Sequence, residues 1–124
     1  MNDEVNTLQI SIVVPIFGCG ESLTELSTRL KNSIREITEN YEIILINDRS
    51  PDDSWSVIKN EIKNDLRVKG ILLSKNFGQH AAITAGLVHS TGKWIVVMDC
   101  DLQDQPEEII RLYNKALEGY EQVV

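Results

Sequence analysis

The segment Asp99-Cys100-Asp101-Leu102-Gln103 gathers oxygen-bearing side chains at a spacing that suits a hard cation. Side chains of an extended chain alternate between two sides, so Asp99 and Asp101 face the same way, and Gln103 joins them if the extension continues. Two carboxylates and an amide oxygen favour Mg²⁺ or Mn²⁺ over zinc or copper. Magnesium keeps coordination positions for substrate phosphates, so such a group could hold a nucleoside diphosphate and stabilise it as a leaving group. An Asp-x-Asp alone says little, because eight Asp in 124 residues make roughly 0.5 such pairs expected by chance. Position gives it weight: carboxylates set between a buried strand and a helix start are costly unless they are used.

Other polar or flat residues follow the remaining apolar runs. Asp48 comes directly after one, where it serves either as a turn former or cap ahead of Ser50-Pro51-Asp52 or as a ligand contact. Pro15 and Phe17 are either ordinary packing at a strand end or a flat platform for a base. Asn76-Phe77-Gly78 matches neither of the two common glycine-rich phosphate loops. His80 and His89 have no metal-ligating neighbours and read as surface or capping residues. Cys100 reads as a small filler between two carboxylates and Cys19 as a loop residue.

The elements that must position these residues are legible from hydrophobic spacing. Ile10–Ile16, Glu42–Ile46, Val68–Leu73 and Trp94–Met98 are short β-branched runs, and another begins at Val123. Their near-continuous apolar content suits strands covered on both faces. Between them, Leu23, Leu26, Leu30, Ile34 and Ile37 share one helical face, as do Trp55, Ile58, Ile62 and Leu66. Ser22 with Glu25 reads as a capping box, and so does Asp104 with Glu107, where Pro106 falls in the first turn and Gly119 marks the end. The stretch from Ala81 to Leu87 is small and apolar nearly all round and is expected tight against a sheet. The alternation predicts an open, doubly wound, mostly parallel α/β sheet with helices on both faces, its ligand site beyond the strand carboxyl ends where strand order reverses.

Composition bounds the function. With 124 residues, 42% hydrophobic and 25% charged, the chain has the make-up of one ordinary globular domain. Twelve Lys+Arg against nineteen Asp+Glu give a formal charge of −7, which argues against nucleic acid as a partner and against unaided binding to anionic lipid. The polar, acidic start is unlike a signal peptide, and no apolar run reaches the roughly 18–20 residues of a membrane span. Two cysteines far apart in sequence indicate neither a disulfide framework nor a zinc site, and point to a reducing compartment.

Val14-Pro15-Ile16-Phe17, Ile46-Asn47-Asp48-Arg49-Ser50, Asn76-Phe77-Gly78-Gln79-His80 and Asp99-Cys100-Asp101-Leu102-Gln103-Asp104-Gln105-Pro106-Glu107 occur in an order and spacing that resembles the family 2 glycosyltransferases of the GT-A fold. The branch most similar transfers sugars onto polyprenyl phosphates. The resemblance implies that Asp99, Asp101 and Gln103 hold a divalent cation on the donor diphosphate. It implies that Asp48 meets the nucleobase, that Pro15 and Phe17 flank that base, and that Glu21 is the acid nearest the first loop. Asn47 and Arg49 stand where the family turn has an acid and a glycine. The implied activity is inverting transfer from a UDP- or GDP-sugar to a lipid-linked or saccharide acceptor, at the inner face of the cytoplasmic membrane in a longer protein. Relatives continue past the equivalent of Val124, so residues 1–124 read as the nucleotide-sugar-binding part of one catalytic domain, inactive by itself, with an exposed sheet edge that could pair into a homodimer. Two rivals are a nucleotide-sugar-binding module without turnover and a phospho-receiver domain. The latter calls for an acidic pair after the first strand, where this chain has Pro15-Ile16-Phe17.

Overall fold

The computed structural model describes residues 8–103 and 105–118. Strands β1 (Ile10–Ile16), β2 (Tyr41–Asn47), β3 (Val68–Leu72) and β4 (Trp94–Val97) alternate with helices α1 (Leu23–Arg35), α2 (Ser54–Asn64), α3 (Gln79–His89) and α4 (Glu108–Leu117). The strands pair in parallel in the order β3-β2-β1-β4. The chain thus steps outward from β1 to β3 and then crosses back, and strand order reverses between β1 and β4. The strand expected from Val123 lies outside the described residues.

Every residue of β1 and β2 is buried, as their central place demands. Ile10, Ile12, Val14 and Ile16 pack with the apolar stripe of α1 and with Ile58 of α2 and Ile109 of α4. On the opposite face Val13, Ile44 and Ile46 pack on Ala82 and Ala85 of α3. The expected stripe of α1 is the core: Leu23, Leu26, Leu30 and Ile34 are each at most 1% exposed. Burying each of these side chains contributes about 1.5–3 kcal/mol before conformational entropy is subtracted.

The helix α3 sits as close to the sheet as expected. A Cβ on Gly86 would lie 2.7 Å from Ile46 Cδ1 and closer still to Val13 Cγ1, so only glycine permits this approach. Its outer side is open, however, with Leu87 and Val88 exposed. Leu66 also departs from expectation at 94% exposure. Asp65 takes extended angles (φ −150°, ψ 117°), which end α2 at Asn64 and leave Leu66 outside the helical face. The capping box expected at Ser22 does not form as such. Ser22 makes no side-chain cap bond; its N–H donates to the Cys19 carbonyl (2.9 Å). Glu107 precedes α4 without a cap bond and instead receives a two-pronged contact from Arg29 of α1 (2.6 and 3.0 Å), while Asp104 lies outside the described residues.

Candidate functional site: an acidic cavity at the strand carboxyl ends

A cavity of about 570 Å³ opens beyond the carboxyl ends of β1, β2 and β4, at the reversal of strand order. Its wall takes Pro15, Phe17 and Cys19 from the end of β1 and the loop after it, Asp48 from the end of β2, and Gly78 and Gln79 from the start of α3. Asp99, Cys100 and Asp101 come from the segment after β4. Five of the residues singled out in the sequence, Pro15, Phe17, Asp48, Asp99 and Asp101, therefore meet in one place. Two do not line it. Glu21 is exposed in the turn ahead of α1. Gln103 loses the alternation that would have aligned it, because Leu102 adopts a left-handed φ of 65° and the Gln103 N–H turns back to Asp101 Oδ1 (3.1 Å).

Asp48 is 3% exposed, and its own N–H extends the sheet by donating to the Ile16 carbonyl (3.0 Å). Its carboxylate accepts from the amides of Phe77 (2.8 Å) and Gly78 (3.0 Å). Asp48 thus organises the start of α3 rather than its own turn, and its charge faces the positive end of that helix. Gly78, the residue before α3, has φ 99°, a conformation that side-chain-bearing residues rarely adopt. The turn after Asp48 is built by Asn47 Oδ1, which accepts from the Ser50 N–H (2.8 Å). Arg49 stands there at φ 55°, in the left-handed region usual for glycine, with its Nε donating to the Leu73 carbonyl (2.9 Å).

A relay that went unnoticed in the sequence joins the loops after β1 and β2. The Gly18 N–H donates to Ser50 Oγ (2.8 Å), Ser50 Oγ to Asp52 Oδ1 (2.7 Å), and the Gly20 N–H to Asp52 Oδ2 (3.0 Å). Asp52 also accepts from the Ser54 hydroxyl and N–H. Burial opposes its charge, yet these donors hold its pKa down at about 2. The Ser50-x-Asp52-x-Ser54 spacing, typical of turn and cap chemistry, was the available signal. Gln79 is a second such residue: its Nε2 donates to Asp99 Oδ1 (3.0 Å), orienting that carboxylate from α3.

The cysteines correct the sequence reading outright. Cys19 and Cys100, separated by 81 positions, form a disulfide with their Cα atoms 6.0 Å apart. Sequence distance was a poor guide, because parallel neighbours β1 and β4 bring the loops that follow them side by side whatever the length of chain between them.

The parallel sheet, its reversal between β1 and β4, and the aspartates at that point define an open α/β domain with its site at the switch point, and its likeness to solved glycosyltransferase structures makes the fold GT-A. Residues 11–124 match the Glycosyl transferase family 2 domain, and the chain belongs to that family. It is 42% identical over 116 residues to the undecaprenyl-phosphate 4-deoxy-4-formamido-L-arabinose transferase of Klebsiella pneumoniae (strain 342), covering 93% of this chain and 36% of the relative. Among solved structures it resembles the mannosyltransferase PcManGT of Pyrobaculum calidifontis, in complex with GDP-Man and Mn²⁺. That match has a TM-score of 0.74 at 18% identity and covers 86% of this chain and 32% of the other. It also resembles S. aureus TarS 1-349 in complex with UDP-GlcNAc (TM-score 0.72, 19% identity, 90% of this chain and 31% of the other). At such identities these likenesses establish the fold. The chain spans about a third of the length of the relatives it matches. Family membership displaces the phospho-receiver reading. Among the described residues no helix is long and apolar enough to cross a membrane.

Proposed function

We propose that residues 1–124 are the nucleotide-sugar-binding part of a glycosyltransferase catalytic domain whose complete form transfers a sugar, with inversion, from a UDP- or GDP-sugar to a polyprenyl phosphate. The observation that carries this reading is the convergence of Asp99 and Asp101 with Pro15 and Phe17 on one cavity at the switch point of the sheet. The sequence kinship with a transferase named for an undecaprenyl-phosphate acceptor supports the acceptor class.

Asp99 and Asp101 fit a divalent cation: both are carboxylates on the cavity wall, and Gln79 holds Asp99 in orientation. Among the described residues no group of three or more His, Cys, Asp and Glu side chains forms a ready-made metal cage. When bound there, the cation supplies positive charge against the negative charge that gathers on the departing diphosphate. Pro15 and Phe17 offer the base a flat apolar wall, Phe17 being half exposed at the cavity. Asp48 shapes the facing wall through the Phe77 and Gly78 amides and keeps acceptor capacity for a base N–H. A phosphate acceptor is already an anionic nucleophile and needs no general base.

The test is calorimetric titration of the chain with UDP, GDP and their sugars, with and without Mn²⁺, repeated on Asp101→Ala. Mn²⁺-dependent binding of one nucleotide, weakened at least about tenfold by the substitution, is expected. Binding that ignores both the metal and the substitution overturns the assignment.

A further inference from the structure

The Cys19–Cys100 bond joins the loops after β1 and β4 in the wall of the cavity rather than stapling a remote surface. We propose that this pair is a thiol–disulfide exchange site whose oxidised state fixes the segment bearing Asp99 and Asp101, so that donor binding responds to the redox state of the surrounding thiols. The link to donor binding rests on the function proposed above; the exchange site itself does not.

The geometry is asymmetric. Cys19 belongs to an anchored loop: Gly18 and Gly20 on either side of it are held by Ser50 and Asp52, and its carbonyl accepts the Ser22 N–H. Cys100 sits between the two carboxylates, three residues past the end of β4 and two before the left-handed turn at Leu102. The Asp99–Asp101 segment is held to the sheet by the Met98 N–H on the Val13 carbonyl, to α3 by Gln79, and to the neighbouring loop after β1 by the disulfide. Breaking the disulfide removes the covalent cross-link between the two loops, and the loosened side is that of the carboxylates. Both cysteines line the cavity, though each residue is largely buried, at 8% and 7% exposure, so exchange with a small thiol or disulfide would take place from the space the donor would use.

The exchange balances with a low-molecular-weight disulfide as oxidant. The thiolate of one cysteine attacks a sulfur of RSSR, giving a mixed disulfide and releasing RS⁻. The second thiolate then attacks the cysteine sulfur of that mixed disulfide, closing the Cys19–Cys100 bond and expelling the second RS⁻. Two protein thiols are oxidised, one external disulfide is reduced to two thiols, and the protons leave with them. Excess small thiol drives the reverse.

The test equilibrates the folded chain in glutathione buffers of graded composition and follows three readouts. These are the disulfide fraction by mass after acid quenching, amide hydrogen exchange of residues 98–103 against residues 18–20, and Mn²⁺–UDP affinity in each redox state. The proposal expects reversible exchange without unfolding, faster amide exchange in 98–103 than in 18–20 on reduction, and affinity at least about fivefold weaker in the reduced chain. A Cys19→Ser/Cys100→Ser variant should match the reduced chain and ignore glutathione. A bond that exchanges only on unfolding, unchanged protection of 98–103 on reduction, or equal Mn²⁺–UDP affinity in the two states overturns the proposal. If UDP does not bind, the affinity readout is taken with Mn²⁺–GDP; failure to bind either nucleotide in either state counts against the donor-binding reading instead, while the exchange and protection readouts still decide the exchange site.

Discussion

Asp48 and Gly78, thirty residues apart in the chain, are joined by a 3.0 Å hydrogen bond from the glycine amide to the buried carboxylate, and the neighbouring Phe77 amide occupies the other oxygen. This contact sets the start of α3 against the end of β2 and so shapes one wall of the cavity. Asp48→Ala strands two part-buried amides, and a loss of about 2–3 kcal/mol is expected. Asp48→Asn should recover part of it by retaining one acceptor. Urea denaturation gives the energies, and faster amide exchange at Phe77 and Gly78 would localise the loss; a change below about 0.5 kcal/mol with unaltered exchange contradicts this role.

The contact between α3 and the sheet predicts that Gly86→Ala is destabilising by about 1–3 kcal/mol, although alanine is ordinarily the better helix former. The added methyl meets Val13 and Ile46, both fully buried and unable to step aside without disturbing the strands. Thermal unfolding of the single variant, compared with a Gly86→Ala/Ile46→Val double variant that relieves part of the overlap, checks it. Partial rescue is expected.

At the opposite, amino-terminal end of the strands, Glu42 is 1% exposed and accepts from Ser11 Oγ (2.6 Å), the Thr91 N–H (2.8 Å) and Lys69. Burial pushes its pKa up, but the bonds from Lys69, Ser11 and Thr91 outweigh it and leave the group below its ordinary 4.5. Asp52 is likewise depressed, from 3.8 to about 2. A carboxyl with a lowered folded pKa contributes stability that is present above its unfolded value and is lost as pH falls through the folded one. Stability should therefore hold down to about pH 4.5 and then decline towards pH 2. Glu42→Gln should lower stability at neutral pH and flatten the upper part of that decline. Acid titrations followed by far-UV circular dichroism test it; an unchanged acid profile in Glu42→Gln counts against the assignment.

The disulfide closes a loop of 81 residues. In the chain-entropy description, reduction should cost up to about 4.5 kcal/mol, less any structure retained in the unfolded reduced chain. Chemical denaturation with and without reductant measures the difference. A reduced chain as stable as the oxidised one would mean that native-state strain cancels the entropic gain.

Much of this molecule is local enough to be written in the chain. The strands β1 and β2, buried throughout, announce themselves as β-branched apolar runs; β3 and β4 were located to within one residue although they are only partly covered, with Ile95 and Val97 exposed. A 3–4 apolar spacing marks the inward face of α1, and an Asp-x-Asp directly after an apolar run marks the carboxyl end of β4. The contacts that make a cavity of these parts are long-range, and residue types alone do not reveal them. The sequence offers Asp48 to several partners, and packing decides that α3 takes it. It shows Gln103 in step with two aspartates, and the left-handed turn at Leu102 puts it out of step. It leaves Cys19 and Cys100 as unrelated residues, and the parallel pairing of β1 with β4 makes them neighbours. Periodicity reports how each segment meets the core, because burial acts on every residue in turn. Which loops then meet one another depends on the order of strands in the sheet, and that order is settled only when the helices close over both faces.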